Sequence, residues 1–147
     1  MLLAALIAKG EGLSDSMTKL LLLCCSYHDI GRINDRRDNE HGARSAALIN
    51  AGPLKEKFLC YGEDALKISL AAIEAHSVSD KHRLKVAETY GIGGRLLDDY
   101  MLLSACLKDA DNLDRVRIYD LDPSHLRSVT ALSLCDDAQW IYRQYRE

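Results

Sequence analysis

The chain has 147 residues, 48% of them hydrophobic and 28% charged, with a formal net charge of −3 at pH 7. That length closes one hydrophobic core without staples, so a single domain over residues 1–147 is expected, and nothing in the composition carries a disorder signature. The absence of a basic excess argues against a nucleic acid polymer as partner, and the five cysteines (Cys24, Cys25, Cys60, Cys106, Cys135), odd in number and lacking the paired spacing of a zinc knuckle, read as core thiols of a reducing compartment.

Taken in chain order, the hydrophobic period is helical nearly throughout, with no strand alternation. "MLLAALIAKGEGL" is apolar for too few residues to span a bilayer and lacks a basic n-region and a small-residue cleavage site, so a cytoplasmic protein without a membrane partner is expected. Residues 2–9 read as the tail of a helix closed by Gly10 and Gly12, an element already under way at Met1. Ser14 or Asp15 caps the next helix, which runs through "MTKLLLLCCSY" and stops at Gly31. "RINDRRDNE", Arg32 to Glu40, is a charged loop. A helix from His41 to Gly52 follows, then a short one opened by Pro53 and broken at Gly62. "EDALKISLAAIEAHS" is amphipathic, with Leu66, Leu70 and Ile73 on one face. "SDKHRLKVAETYGIGG" predicts a short polar helix ending in a glycine-rich turn. A long helix from Leu96 to Arg117 carries Leu103, Leu107 and Ala110 as its stripe. Asp122-Pro123 is a cap with a first-turn proline, and one or two helices complete the chain to Tyr145. The expected fold class is all-α, a compact multi-helix bundle.

Four polar residues fall on the inner faces of these helices. His28 continues the stripe of Leu21, Cys24 and Cys25, and Asp29 lies over Leu22 and Cys25. His76 stands three residues beyond Ile73, and Asp111 four beyond Leu107. His41 begins its own helix. Each has an ordinary structural reading: a satisfied core histidine, a helix-terminal His-Asp pair, or an Asp111–Arg115 ion pair. Their convergence argues for more, because several inward polar groups in one small core are costly without a shared partner, and a metal ion is such a partner. His82 and His125 have polar neighbours and read as surface residues. Asp109 points about 200° away from Asp111 at helical spacing, and both it and Asp114 are expected to matter less than Asp111.

"YHDIGR", "EHGARSAALI", "IEAHS" and "LKDADNLDRVR", in this order over residues 2–118, together resemble the HD-domain metal-dependent phosphohydrolases, helical enzymes named for a His-Asp pair. The resemblance implies that His28, Asp29 and Asp111 are metal ligands. It also implies that His41 and His76 take the places of second-metal ligands, and that Arg32 contacts phosphate. The family pattern begins with a further histidine on the preceding helix, and residues 1–27 contain none. The expectation is a first helix lacking its start, a weakened site, and an exposed apolar patch that a homodimer could cover.

Imidazole and carboxylate donors without a well-placed thiolate suit one or two divalent transition metals (Mn, Fe, Co, Ni or Zn) and suit calcium poorly. Hydrolysis of a phosphate ester in a small phosphorylated molecule, such as a nucleotide, is the expected activity. Asp29, bridging two ions, and Arg32 are its expected catalytic residues. Arg32 and Arg44 are placed to hold phosphate oxygens, although Arg44 equally suits a salt bridge to Asp38 or Glu40. The alternatives are a catalytically impaired binding or regulatory module, and a purely structural helical domain, which leaves the inward carboxylates unexplained.

Overall fold

The computed structural model describes residues 1–34 and 38–145. Among them are nine α-helices and no strand: α1 (Leu2–Gly10), α2 (Asp15–Tyr27), α3 (His41–Ala51), α4 (Lys55–Leu59), α5 (Glu63–His76), α6 (Arg83–Thr89), α7 (Arg95–Asp114), α8 (Val129–Ser133) and α9 (Cys135–Gln144). The all-α expectation holds. No helix among the described residues is long and apolar enough to cross a membrane.

Local chemistry sets the helix ends that matter for function. Ser14 caps α2, its Oγ accepting from the Met17 N–H at 3.3 Å. The regular part of α2 stops at Tyr27, earlier than the glycine at 31 suggests, and His28 to Gly31 form a turn. The His28 N–H still donates to Cys24 O at 2.8 Å, so the His-Asp pair leaves the helix in a fixed direction. Glu63 and Asp64 in the first turn of α5 complement its N-terminal dipole. α7 ends at Asp114 and tightens into a 3-10 segment, Arg115–Ile118, where a single helix to Arg117 is expected. The loop expected over Arg32–Glu40 lies partly outside the described residues; its flanks, 32–34 and 38–40, are irregular.

α5 is the central element, packed along α7 and α3 and touching α2, α4 and α6. Its Ile73 is fully buried, as are Leu21 and Cys24 of α2, Ile49 of α3, Phe58 of α4, and Tyr100, Leu103 and Leu107 of α7. Each such aliphatic side chain contributes roughly 1.5–3 kcal/mol by leaving water. Of the cysteines, Cys24 and Cys106 are core thiols as expected, whereas Cys60 is exposed.

Two glycines bring the polar ends of these helices together. A Cβ on Gly42 would sit 2.6 Å from Ile73 O and 2.7 Å from Glu74 O, so the start of α3 rests directly on the last carbonyls of α5. A Cβ on Gly31 would meet Ser45 N at 2.5 Å, and the Gly31 N–H donates to Ser45 Oγ at 2.9 Å. The turn after α2 is thereby seated against α3, and the ends of α2, α3 and α5 meet at one place beside α7.

Candidate metal centre

At that meeting point stand His28 and Asp29 from the turn after α2, His41 from the first turn of α3, His76 from the last turn of α5, and Asp111 from α7. His41 Nε2 and His76 Nε2 are 2.8 Å apart, and both face Asp29 Oδ1, at 3.1 and 3.4 Å. His28 Nε2 lies 3.5 Å from Asp111 Oδ1 and 3.8 Å from Asp29 Oδ2. The His76 ring takes the other two edge-on, with centroids 4.8 Å from His28 and 4.6 Å from His41.

The tautomers follow from the outer partners. His28 Nδ1 faces Cys25 O at 2.9 Å, His41 Nδ1 faces Asp38 O, and His76 Nδ1 faces Ile73 O. A carbonyl oxygen can only accept, so each Nδ1 carries its proton and donates. In the neutral rings every Nε2 is then a lone pair, and all three lone pairs point at carboxylate oxygens or at one another. Asp29 Oδ1 is shut off from water and receives no hydrogen bond, although the carboxylate as a whole is partly open. Nitrogen and oxygen donors around a buried, unpartnered carboxylate oxygen form a set that a cation could satisfy.

The groups of the cluster titrate in different directions. Burial, acting with the neighbouring His76 and Arg32, pushes the His41 pKa down despite Asp38, which favours the neutral lone-pair form. His76, and then His28 and Arg32, hold the Asp29 carboxyl well below the usual carboxylate range against the opposing effect of burial. For Asp111 burial opposes ionisation, but His28 outweighs it and lowers the pKa. For His28 burial favours neutrality, and Asp111 with Asp29 reverses that and raises the pKa. The nearby Cys25 thiol is pushed up to about 12, chiefly by burial, and stays protonated at neutral pH.

His28, Asp29 and His76 each offer a donor atom within 4.8 Å of the others, a set that could hold a metal ion. His41 and Asp111 flank it through the contacts above. Nitrogen and oxygen donors, rings fixed through Nδ1 to backbone carbonyls, and an orphaned carboxylate oxygen all fit a divalent transition ion.

The expected site residues come together in six of seven cases. Arg32 stands beside the cluster, its Nε 3.3 Å from Asp29 Oδ2. Arg44 faces elsewhere: its guanidinium pairs with Asp38, lies 3.5 Å from Glu40, and donates from Nε to Gly31 O at 3.0 Å. It holds the residue whose carbonyl orients His41. The alternative Asp111–Arg115 pair is not formed, since Arg115 turns to Asp120 instead. His82 and His125 are exposed as expected, yet both line a cleft of 1730 Å³ that opens from the cluster.

Sequence reasoning missed a second polar assembly one turn earlier on α7. Lys108 Nζ donates to Ala75 O at 3.0 Å and to Val78 O, and pairs with Asp80 at 3.1 Å. It thus clamps the C-terminal end of α5, where His76 sits. Asp109 is 0% exposed and accepts from Arg127 N–H, Ser128 N–H, Ser128 Oγ and Arg127 Nη1 at 2.8 to 3.2 Å. Arg127 closes the chain with a two-pronged contact to Asp80, both bonds at 2.9 Å. The available signal was the spacing of Lys108, three residues before Asp111 and therefore on its face.

No family model, no curated protein and no solved structure matches the chain.

Proposed function

We propose that this protein is a divalent-metal-dependent phosphohydrolase acting on a small phosphate ester, with His28, Asp29, His41, His76 and Asp111 as its metal ligands. The observation that carries the reading is the cluster around Asp29 Oδ1, where the Nε2 atoms of His41 and His76 face a buried carboxylate oxygen that has no hydrogen-bond partner among the described residues. A cation is the partner that such a donor set takes.

The phosphate half of the proposal rests on Arg32 and the cleft. Arg32 pairs through Nε with Asp29 Oδ2, and its terminal nitrogens are the proposed donors to phosphoryl oxygens in charge-assisted bonds. Arg32 orients Asp29 through Oδ2, which turns Oδ1 toward the nitrogens of His41 and His76. Asp38 and Ile73 lock the rings of His41 and His76 through their carbonyls, so the donor atoms need no reorganisation when the substrate arrives. A divalent ion held there would supply an acidified water as nucleophile and neutralise charge developing on the phosphoryl group. The expected setting is the cytoplasm.

The test is metal analysis of protein purified without a histidine tag, paired with turnover of p-nitrophenyl phosphate in added manganese. Stoichiometric transition metal and saturable hydrolysis are expected from the native chain, with both lost in Asp29→Ala. Metal content unchanged in Asp29→Ala overturns the ligand assignment. Stoichiometric metal without turnover would mark a binding module in place of an enzyme.

A further inference from the structure

The cleft is larger than one phosphate requires. Small-molecule sites commonly enclose about 300–1,000 Å³, and this one has 1730 Å³. Seven of its lining side chains are Lys or Arg and five are Asp or Glu, in a chain whose formal charge is −3. Five of these cations are already matched to carboxylates: Arg32 to Asp29, Lys108 and Arg127 to Asp80, Arg115 to Asp120, and Arg117 to Asp114. Lys81 and Lys85 have no ion pair among the described residues.

These two lysines share a face. Lys81 lies in the 3-10 turn Asp80–His82 and Lys85 in the first turn of α6, which continues it directly. Like charges four residues apart on a helical face repel, so an unmatched pair there is mildly unfavourable until an anion joins it. The wall that carries them is anchored. Arg83, between them, is buried, with its Nε donating to Ser104 Oγ at 2.9 Å, and Tyr100 OH donates to Arg83 O at 2.9 Å. Both anchors belong to α7, the helix that carries Asp111. The lysine heads therefore project into the cleft from a wall fixed to the same helix as the candidate metal centre. Val86 and Ile118 also line the cleft and offer apolar surface to an uncharged portion of a ligand.

We infer that Lys81 and Lys85 form a second anion subsite, and that the substrate carries a second phosphate group besides the one at Asp29 and Arg32. The inference rests on the phosphohydrolase reading and names the substrate class for it: a bisphosphorylated small molecule. Water cleaves one phosphate ester at the ligand cluster, releasing orthophosphate and leaving the substrate's hydroxyl with the proton, while the other phosphate is held by the lysine pair.

The test compares adenosine 3′,5′-bisphosphate with adenosine 5′-monophosphate in manganese-loaded protein. The native chain is expected to favour the bisphosphate by about tenfold in kcat/KM, the size of one charge-assisted contact pair. In Lys81→Ala/Lys85→Ala that ratio should fall close to one, through KM. A control with equal loss of charge away from the cleft, Lys19→Ala/Lys57→Ala, should keep the ratio. An unchanged ratio in the cleft variant, no preference in the native chain, or the same fall in the control each overturns the subsite. Should neither nucleotide be hydrolysed, the phosphohydrolase reading fails separately, and calorimetric binding of adenosine 3′,5′-bisphosphate still decides the subsite. There the cleft variant should bind about tenfold more weakly than the native chain, and equal affinity overturns it.

Discussion

Helix α7 carries two buried polar assemblies one turn apart, and they are built on opposite terms. Around Asp109 every acceptor meets a donor: two backbone N–H groups, a hydroxyl and a guanidinium surround a carboxylate that is 0% exposed. Around Asp29 the fit is incomplete: Arg32 meets Oδ2, but Oδ1, facing the nitrogens of His41 and His76, has no hydrogen bond among the described residues. The first assembly is complete within the protein and holds the fold; the second is where the proposed metal ion would bind. Of two aspartates two residues apart, the more buried one is structural, and the partly exposed one belongs to the candidate site. Burial alone does not identify a functional carboxylate; the state of its partners does.

The contrast breaks most visibly at Asp109. Asp109→Ala leaves the N–H groups of Arg127 and Ser128 without their acceptor and removes the carboxylate facing the Arg127 guanidinium. A loss of roughly 3–5 kcal/mol is expected, read from urea denaturation of the native and variant chains. Metal affinity of the fraction that remains folded should change little, since Asp109 points away from the cluster.

Lys108 links the two assemblies, and its replacement sharpens the comparison. Lys108→Met keeps the length of the side chain but removes the ammonium that donates to Ala75 O and Val78 O. The expected cost is about 1.5–3 kcal/mol in stability. Metal affinity should weaken too, measured by competition with a chelator, because the end of α5 that presents His76 loses its tether. A variant that loses stability but keeps native affinity would show that the clamp does not reach the ligands.

Asp29→Ala should behave in the opposite sense to Asp109→Ala. In protein stripped with a chelator it should cost about 1 kcal/mol or less, as expected of a half-exposed ion-paired carboxylate, while abolishing metal retention. A large loss of stability in the stripped state would mean that the acceptor cluster is internally satisfied after all.

The smallest expected effect is a pH dependence at Asp80. Burial opposes its ionisation, but Arg127 and Lys108 outweigh this and hold its pKa below the ordinary value of 3.8. The unfolded chain therefore binds a proton more readily than the folded one. The stabilising contribution is present above about pH 4 and is lost as pH falls through the folded pKa. Comparing urea midpoints at pH 6 and pH 3, Asp80→Asn should show a shallower acid loss than the native chain. An equal loss in both would remove Asp80 from the acid response.

Much of this arrangement was legible in the residue pattern, for reasons that differ by element. α2, α3, α5 and α7 have apolar periods ending at glycines or charged turns, and those signals put His28, Asp29, His76 and Asp111 on inward faces and His41 at the start of its own helix. The helical register of α7 correctly set Asp109 apart from Asp111. What periodicity could not reveal were contacts across long sequence separations between short elements. Asp80 lies 47 residues from Arg127, in a 3-10 turn of three residues with no period to read. Arg44 illustrates a different limit. Its position on the face of His41 was readable, but the competition between phosphate and Asp38 depends on where the turn after α2 lands. Gly31 decides that through its fit against Ser45.

Gly42 has a consequence for ion choice. Because its missing Cβ lets α3 lie against the last carbonyls of α5, the distance between the His41 and His76 nitrogens is governed by a position that supplies no donor atom. A methyl group there, 2.6 and 2.7 Å from backbone oxygens, would act as a shim that forces the two helices apart and widens the jaws of the histidine pair. Size discrimination among divalent ions, in the proposed centre, would thus be tunable from the backbone of a neighbouring residue, leaving every donor atom chemically unaltered.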